Sequence, residues 1–354
     1  MNLELLRDEN GNYPADIAEI IANSDPEKKE VLRQVGIIVV EYDQYHDAWE
    51  WLEDMLLEVN TGLESTAGLL YGVSGVGKST ILRRFTKKYG GPFQTADGLV
   101  RPVVRVSTPA NPNLENLYKA MIQALDADAA DSGKVSDLRK IVLTQIAGQK
   151  VKLFIFDEFT HVVEDRTEKF ATKTVRALKE LLSDKHCQCV FAGTELLFKV
   201  HSIYSQFRRR SGGDMQLFPF DWDEPDDRTE WLEVMAAIQS SLPIKCEEPL
   251  GQELMARKIH QSTDGTMDHV MKLLFRATSY AYDSGSGVIS FTHLADAFER
   301  LRRGDEVRSN PFGPPSKRRR TVSVVHHVND DPDDDDEKSN LRSTGKGPKP
   351  RFKK

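Results

Sequence analysis

The residues Gly72, Val73, Ser74, Gly75, Val76, Gly77, Lys78 and Ser79 fit the spacing G-x-x-x-x-G-K-[ST], and they lie between a short apolar run and an amphipathic one. That setting gives the spacing its physical meaning. Ala67 to Tyr71 suits a buried parallel strand, and Thr80 to Lys88 puts Ile81, Leu82 and Phe85 on one face of a helix. Glycines let the backbone wrap a phosphate with its N–H groups, at a helix N-terminus that already favours negative charge. Such a loop binds a nucleotide: Gly72 to Thr80 form the cradle, Lys78 reaches the β and γ phosphates, and Ser79 holds Mg²⁺.

A nucleotidase of this kind needs an acid on a second strand to orient the metal and, for hydrolysis, a group that activates water. Val151 to Glu158 supplies both. Leu153 to Phe156 read as a central parallel strand, and Asp157 and Glu158 stand at its carboxyl end, where open α/β sheets bind ligands. Asp157 is expected in the Mg²⁺ shell and Glu158 at the attacking water. The bland alternative is an acidic pair capping a helix. The 79 residues from Lys78 to Asp157 leave room for a strand and two helices.

With 354 residues, 39% of them hydrophobic and 29% charged, the chain suits one large or two smaller globular units rather than a fibre or a disordered polymer. No apolar run approaches the roughly 18 to 20 residues of a membrane span, and the N-terminus lacks a signal-peptide layout, so a cytoplasmic location is expected. Cys187, Cys189 and Cys246 read as reduced core residues rather than a disulfide or metal site. The net charge of −7 averages unlike parts: from Ser316 onward there are 11 Lys or Arg against 7 Asp or Glu, so the remainder is strongly acidic. An acidic body does not exclude DNA binding when basic residues converge on one surface.

Four segments follow from the pattern. Residues 1–60 are helical, with helices expected from Pro26 to Val35 and from His46 to Val59; Val35 to Val40 between them either borders the adenine or is ordinary core. Residues 61–222 are an α/β domain with further strands at 101–107, 187–192 and 214–220 and helices at 114–125, from Gly133 onward and at 168–182. Residues 223–304 are a small helical unit, and 305–354, dominated by Pro, Lys, Arg and Asp, are expected to be a disordered charged tail. Thr194, ending the strand beside the acidic one, is suited to sense the γ-phosphate through the attacking water. Arg208, Arg209 and Arg210 precede the fifth strand, where an arginine reaches a neighbouring subunit's nucleotide; the alternative is a solvated or DNA-facing basic loop.

In this order the features resemble an AAA+ ATPase, and more closely the TniB/TnsC family of transposition regulators. The resemblance runs from about Leu69 to Arg303 and rests on the residues 72–80, 153–158 and 190–195, and on Ser205 to Arg210 followed by Leu217 to Trp222. It implies a P-loop NTPase with a five-stranded parallel sheet between helices, a helical lid, ATP and Mg²⁺ as cofactors, and Lys78, Glu158, Thr194 and one of the three arginines as catalytic. It also implies a homo-oligomeric ring or filament on double-stranded DNA in a prokaryotic cytoplasm. The implied partners are a DDE transposase and a TniQ-type target selector, with hydrolysis driving disassembly.

Two departures stand out. Gln206 occupies a position where the family often has arginine, which shifts the finger to Arg208, Arg209 or Arg210. His269 stands where a lid arginine often contacts the γ-phosphate, so either Lys272 compensates or lid sensing is weak. If subunits surround a duplex, Thr108, Lys119, Lys134 and Arg139 are the candidates to face its phosphates, without reading bases; the alternative for each is a solvated surface residue. A replication initiator or helicase loader is the nearest alternative, although it normally adds a winged-helix domain after the lid, for which the roughly 50 remaining residues leave no room. A P-loop small-molecule kinase and a nucleotide-gated scaffold are alternatives of other classes.

Overall fold

Leu69 and Leu70 are neighbours in sequence and bury into opposite cores, one on each face of a parallel sheet. The computed structural model describes residues 25–57, 67–96, 98–127, 134–164, 168–183, 187–200, 213–302 and 309–314. In chain order its helices are α1 (Pro26–Gly36), α2 (Asp43–Leu57), α3 (Lys78–Tyr89), α4 (Leu114–Ala124), α5 (Val135–Gly148), the one-turn α6 (Thr160–Val163), α7 (Glu168–Ser183), α8 (Pro225–Ser241), α9 (Glu253–Thr263), α10 (Met267–Asp283) and α11 (Phe291–Leu301). The strands are β1 (Ala67–Tyr71), β2 (Phe93–Thr95), β3 (Gly98–Val100), β4 (Val103–Ser107), β5 (Leu153–Asp157), β6 (Gln188–Gly193), β7 (Asp214–Gln216), β8 (Lys245–Cys246) and β9 (Val288–Ile289).

The main sheet has the order β4-β5-β6-β1-β7, and every pairing is parallel. Side chains alternate along each strand, so Leu70, Leu153, Ile155 and Val190 face one core while Leu69, Phe154, Phe156 and Phe191 face the other. Helices α2 and α3 cover the first face, and α4, α5 and α7 cover the second. Burial on both faces explains why β1, β5 and β6 read as nearly continuous apolar runs.

The fifth strand is shorter than the expected 214–220, because the chain leaves the sheet edge after Gln216 and Pro219 has no N–H to give a ladder. The Phe218 amide goes instead to Gln44 Oε1 at 2.8 Å and the Phe220 amide to the Gly265 carbonyl at 3.0 Å. The antiparallel pair β2–β3 and the short parallel pair β8–β9 were not expected from the sequence. Cys187 and Cys189 are buried and reduced, as expected, and burial pushes the Cys189 thiol up to about 12.

The two N-terminal helices dock on different parts of the protein. Asp25 caps α1 by accepting from the Glu27 amide at 2.9 Å, with Pro26 in the first turn, and α1 rests on α10 through Lys28 Nζ to Asp283 at 2.6 Å and the Tyr282 hydroxyl to Asp25 at 2.7 Å. Helix α2 packs on α3, where Trp49 meets Phe85 edge-on at 5.2 Å between centroids. Helices α8 to α11 share a core around Trp231, which is fully buried and donates its indole N–H to the Ala256 carbonyl at 3.0 Å.

One part of the expected tail is folded. Phe312 is 7% exposed and joins the helical core, while Asn310 Nδ2 donates to the Ala295 carbonyl at 2.9 Å on α11. An apolar ring two residues before Pro314 pins this stretch despite its polar neighbours. The charge blocks at 317–320 and 330–337 and the basic end lie outside the described residues.

Candidate nucleotide site

The phosphate loop connects β1 to α3, and its glycines are required by space as well as by dihedral angle. Gly72 has φ +155° and lies so close to the Leu217 carbonyl that a Cβ would meet the oxygen at 2.1 Å. Gly77, with φ +106°, leads into α3 at Lys78. The Tyr42 hydroxyl donates to the Val76 carbonyl at 3.0 Å, bracing the loop from the segment before α2; burial pushes its phenol up to about 12, so it remains a donor.

Lys78 is 9% exposed, and its ammonium donates to the Gly72 and Val73 carbonyls at 2.8 Å each. Burial pulls its pKa down to about 8, and the nearby Asp157 and Glu195 carboxylates oppose that shift. A cation held in the mouth of a phosphate cradle has the chemistry needed to bind an oxyanion. The Ser79 hydroxyl donates to Asp157 Oδ1 at 3.4 Å, which joins the loop helix to the end of β5.

Asp157 is 8% exposed, and its two oxygens face different partners. Oδ1 accepts from Ser79 and from the Glu158 amide at 3.0 Å, whereas Oδ2 lies 3.7 Å from the Arg105 guanidinium on β4. Glu158 is exposed and left-handed, with φ +58°. That conformation costs a non-glycine residue roughly 1–2 kcal/mol, and such strain concentrates at functional sites. Glu158 is among the residues that line the cleft.

Thr160 and Thr194 tie the next strand end to this one. The Thr194 amide donates to Thr160 Oγ1 at 2.7 Å, and the two hydroxyls are 3.3 Å apart. Gly193 makes the approach possible, since a Cβ there would meet Thr160 Oγ1 at 2.2 Å. Thr160, Gly193, Tyr42 and Arg105 were missed in the sequence. The signal available for Thr160 was a hydroxyl two residues after the acidic pair.

These groups surround a cleft of about 740 Å³. Ile38, Val39 and Val40 line the cleft, as do Met267, Asp268 and Met271 of α10. Residues 74, 75 and 77–80 of the loop, together with Asp157, Glu158 and Thr194, therefore converge as expected. The Mg²⁺ expected here fits the residues present. A hydroxyl and a carboxylate oxygen are paired at the cradle, and Mg²⁺ is usually held by one or two protein oxygens plus phosphates and water. Among the described residues no group of three or more His, Cys, Asp or Glu offers an alternative metal site.

The other expected residues lie elsewhere. Thr108 is 3% exposed, with a covered hydroxyl that has no hydrogen-bond partner among the described residues, so it presents no surface to a phosphate backbone. Lys119 on α4 pairs with Glu115 at 2.8 Å, Lys134 is exposed at the start of α5, and Arg139 lies on α5 beside Tyr118. Gln206, Arg208, Arg209 and Arg210 lie outside the described residues. His269 bonds the Thr263 carbonyl at 3.2 Å, and it is Asp268, not His269, that lines the cleft. Lys272 is held by Asp268 at 2.5 Å.

The parallel order, the phosphate loop, the acidic end of the central strand and the helical region beyond the sheet define an AAA+ P-loop NTPase fold. The family model described as "Bacterial TniB protein" matches residues 34–213. The chain belongs to the TniB family of transposition-associated AAA+ ATPases. None of the curated proteins compared with the chain matches it.

Among solved structures, ORC2 of Aeropyrum pernix in ADPNP and ADP complexes is similar at 17% identity and TM-score 0.56, over 72% of this chain and 67% of that one. Cdc6p of Pyrobaculum aerophilum is similar at 12% identity and TM-score 0.54, over 74% and 68%. ORC1 of Aeropyrum pernix in complex with DNA gives 15% identity and TM-score 0.50, over 79% and 66%. At these identities the likeness is one of fold. Among the described residues no helix is long and apolar enough to cross a membrane.

Proposed function

We propose that this protein is an ATP-dependent, largely sequence-nonspecific DNA-binding regulator of transposition. It assembles on target DNA, recruits or activates a DDE transposase, and is released by ATP hydrolysis. The observation that carries this reading is the Ser79–Asp157 pair with Glu158 lining the same cleft, in a chain of the TniB family. Lys78 neutralises phosphate charge, Ser79 and Asp157 would hold Mg²⁺, Glu158 accepts a proton from the attacking water, and Thr194 positions that water. When bound, Mg²⁺ supplies further charge neutralisation at the phosphates.

Lys119, Lys134 and Arg139 are proposed to face the DNA, and Thr108 is left out because its side chain is covered. Supporting this, α4 packs against β4, an edge strand, and α5 packs against α4, so all three cations come from segments on that side of the sheet. One of Arg208, Arg209 and Arg210 is proposed to complete a neighbouring subunit's site. A cytoplasmic, DNA-associated location and a TniQ-type selector as a further partner belong to the same proposal. The DNA-bound ORC1 likeness permits an initiator reading, but it concerns the fold alone, and the family match favours transposition.

Electron microscopy of the protein with duplex DNA and a non-hydrolysable ATP analogue tests this. Rings or filaments that require both ligands are expected. Persistently monomeric protein would remove the reading.

A further inference from the structure

Strand β4 carries a cation at a position whose neighbours are apolar. Arg105 shares a sheet face with Val103, two residues before it, and with Ile155, its partner in register on β5, and both of those belong to the core on that face. A guanidinium in such a place is costly unless an opposite charge meets it. Among the described residues its one ion pair is with Asp157 Oδ2 at 3.7 Å, and the two side chains are 28% and 11% exposed. At that distance the contact is one of charge, not a hydrogen bond.

Oδ2 is the oxygen that Ser79 and the Glu158 amide leave alone, since both donate to Oδ1. Asp157 is among the residues that line the cleft and Arg105 is not, so the guanidinium acts on the site through the carboxylate. An arginine keeps its charge at every pH a protein meets. Part of the negative charge that would draw a divalent cation to Asp157 is therefore offset permanently. Mg²⁺ is usually held by one or two carboxylates together with substrate phosphates, and those phosphates restore the charge that Arg105 takes away.

We propose that Arg105 makes metal binding conditional on nucleotide: it holds the affinity of the nucleotide-free protein for a divalent cation low, so that the metal enters with the phosphates. This rests on the reading of Ser79 and Asp157 as the metal-holding pair and adds a control on that pair. The same charge acts on the two ligands with opposite sign, because a fixed cation repels a divalent cation and attracts a nucleotide. A purely structural arginine has no such signature, since its loss would lower both affinities.

The test is binding of Mn²⁺ to the nucleotide-free full chain, followed by the electron paramagnetic resonance of the free ion, beside binding of a fluorescent ATP analogue in EDTA. Arg105→Met and Arg105→Gln are expected to bind Mn²⁺ about ten-fold more tightly than wild type, and the ATP analogue without metal more weakly. Adding Asp157→Asn to Arg105→Met should cancel the gain. Unchanged or weaker Mn²⁺ binding in both neutral variants overturns the proposal, and so does a gain that survives Asp157→Asn. Asp157→Asn alone, with a non-hydrolysable ATP analogue present, reports on the reading beneath it: if that variant binds Mn²⁺ as tightly as wild type, Asp157 does not hold the metal.

Discussion

The Thr160 hydroxyl accepts the Thr194 backbone N–H at 2.7 Å, which fixes the polar end of β6 against the turn that follows Glu158. One side chain thereby joins the segment that carries Glu158, proposed to activate water, to Thr194, proposed to position it. Replacing Thr160 with Val removes the acceptor while keeping the shape. We expect a loss of roughly 1–3 kcal/mol, the cost of leaving the Thr194 amide unsatisfied. Hydrolysis should slow while ATP affinity is kept, and steady-state turnover beside equilibrium nucleotide binding would show this. Unchanged turnover would mean that Thr194 has no part in the reaction.

Glu158→Gln keeps the size of the side chain and removes the base. ATP hydrolysis should fall about 10²-fold or more, with nucleotide affinity preserved. Single-turnover hydrolysis and direct binding separate the two quantities. Normal hydrolysis in Glu158→Gln would move the base elsewhere.

Lys78 gives the site a pH dependence whose sign follows from its lowered pKa. Without nucleotide the ammonium loses its proton near pH 8 rather than near its ordinary 10.5, and a bound phosphate favours the charged form. Affinity should be flat below about pH 8 and weaken as pH rises above it, with proton uptake on binding. The lowered pKa also means that burial of the charged ammonium opposes folding below pH 8 and is relieved between about 8 and 10.5. Calorimetric titrations in two buffers of different ionisation enthalpy would detect the uptake; its absence at pH 9 would contradict the assignment.

Gly72→Ala should abolish nucleotide binding rather than weaken it slightly. The added methyl carbon would lie 2.1 Å from a backbone oxygen of the neighbouring chain segment, and no rotamer change can relieve that contact. Thermal denaturation should show a loss on the order of 2 kcal/mol or more. Wild-type binding by Gly72→Ala would mean that the loop has a different conformation in solution.

Phe312→Ala should destabilise the protein by about 3 kcal/mol, the usual cost of emptying a buried phenylalanine site. For the same reason truncation at residue 305 should be more damaging than truncation after Pro314, although both remove the charge blocks. Chemical denaturation of the two truncations decides between them. Equal stability would show that Phe312 contributes nothing.

The sequence was most legible where chemistry and burial coincide. β1, β5 and β6 are buried on both faces, so their apolar runs were unambiguous, and each leads to a residue proposed for the site: Gly72 after β1, Asp157 at the end of β5 and Thr194 after β6. Legibility failed where a contact joins ordinary polar residues far apart in the chain. Lys28 and Asp283 are 255 positions apart, and neither residue signals its partner. It failed again at α10, where one residue's difference in sequence is a rotation of roughly 100°, enough to face Asp268 into the cleft and turn His269 away. The fifth strand was read too long because the alternation continues past Gln216, while Pro219 and the bond that the Phe218 amide donates to Gln44 Oε1 end the pairing. Thr108 was placed at a DNA surface from its position after a strand, and its burial depends on packing that position alone does not reveal.

The most direct test of the account is duplex DNA binding by the purified protein with ATP, with ADP and without nucleotide, across a salt series, with Lys78→Ala as the control. The account predicts tight binding only with ATP, weakening steeply as salt rises because the contacts are to phosphates, and lost in Lys78→Ala. Absence of binding in every nucleotide state, or binding indifferent to nucleotide and to Lys78, would contradict it.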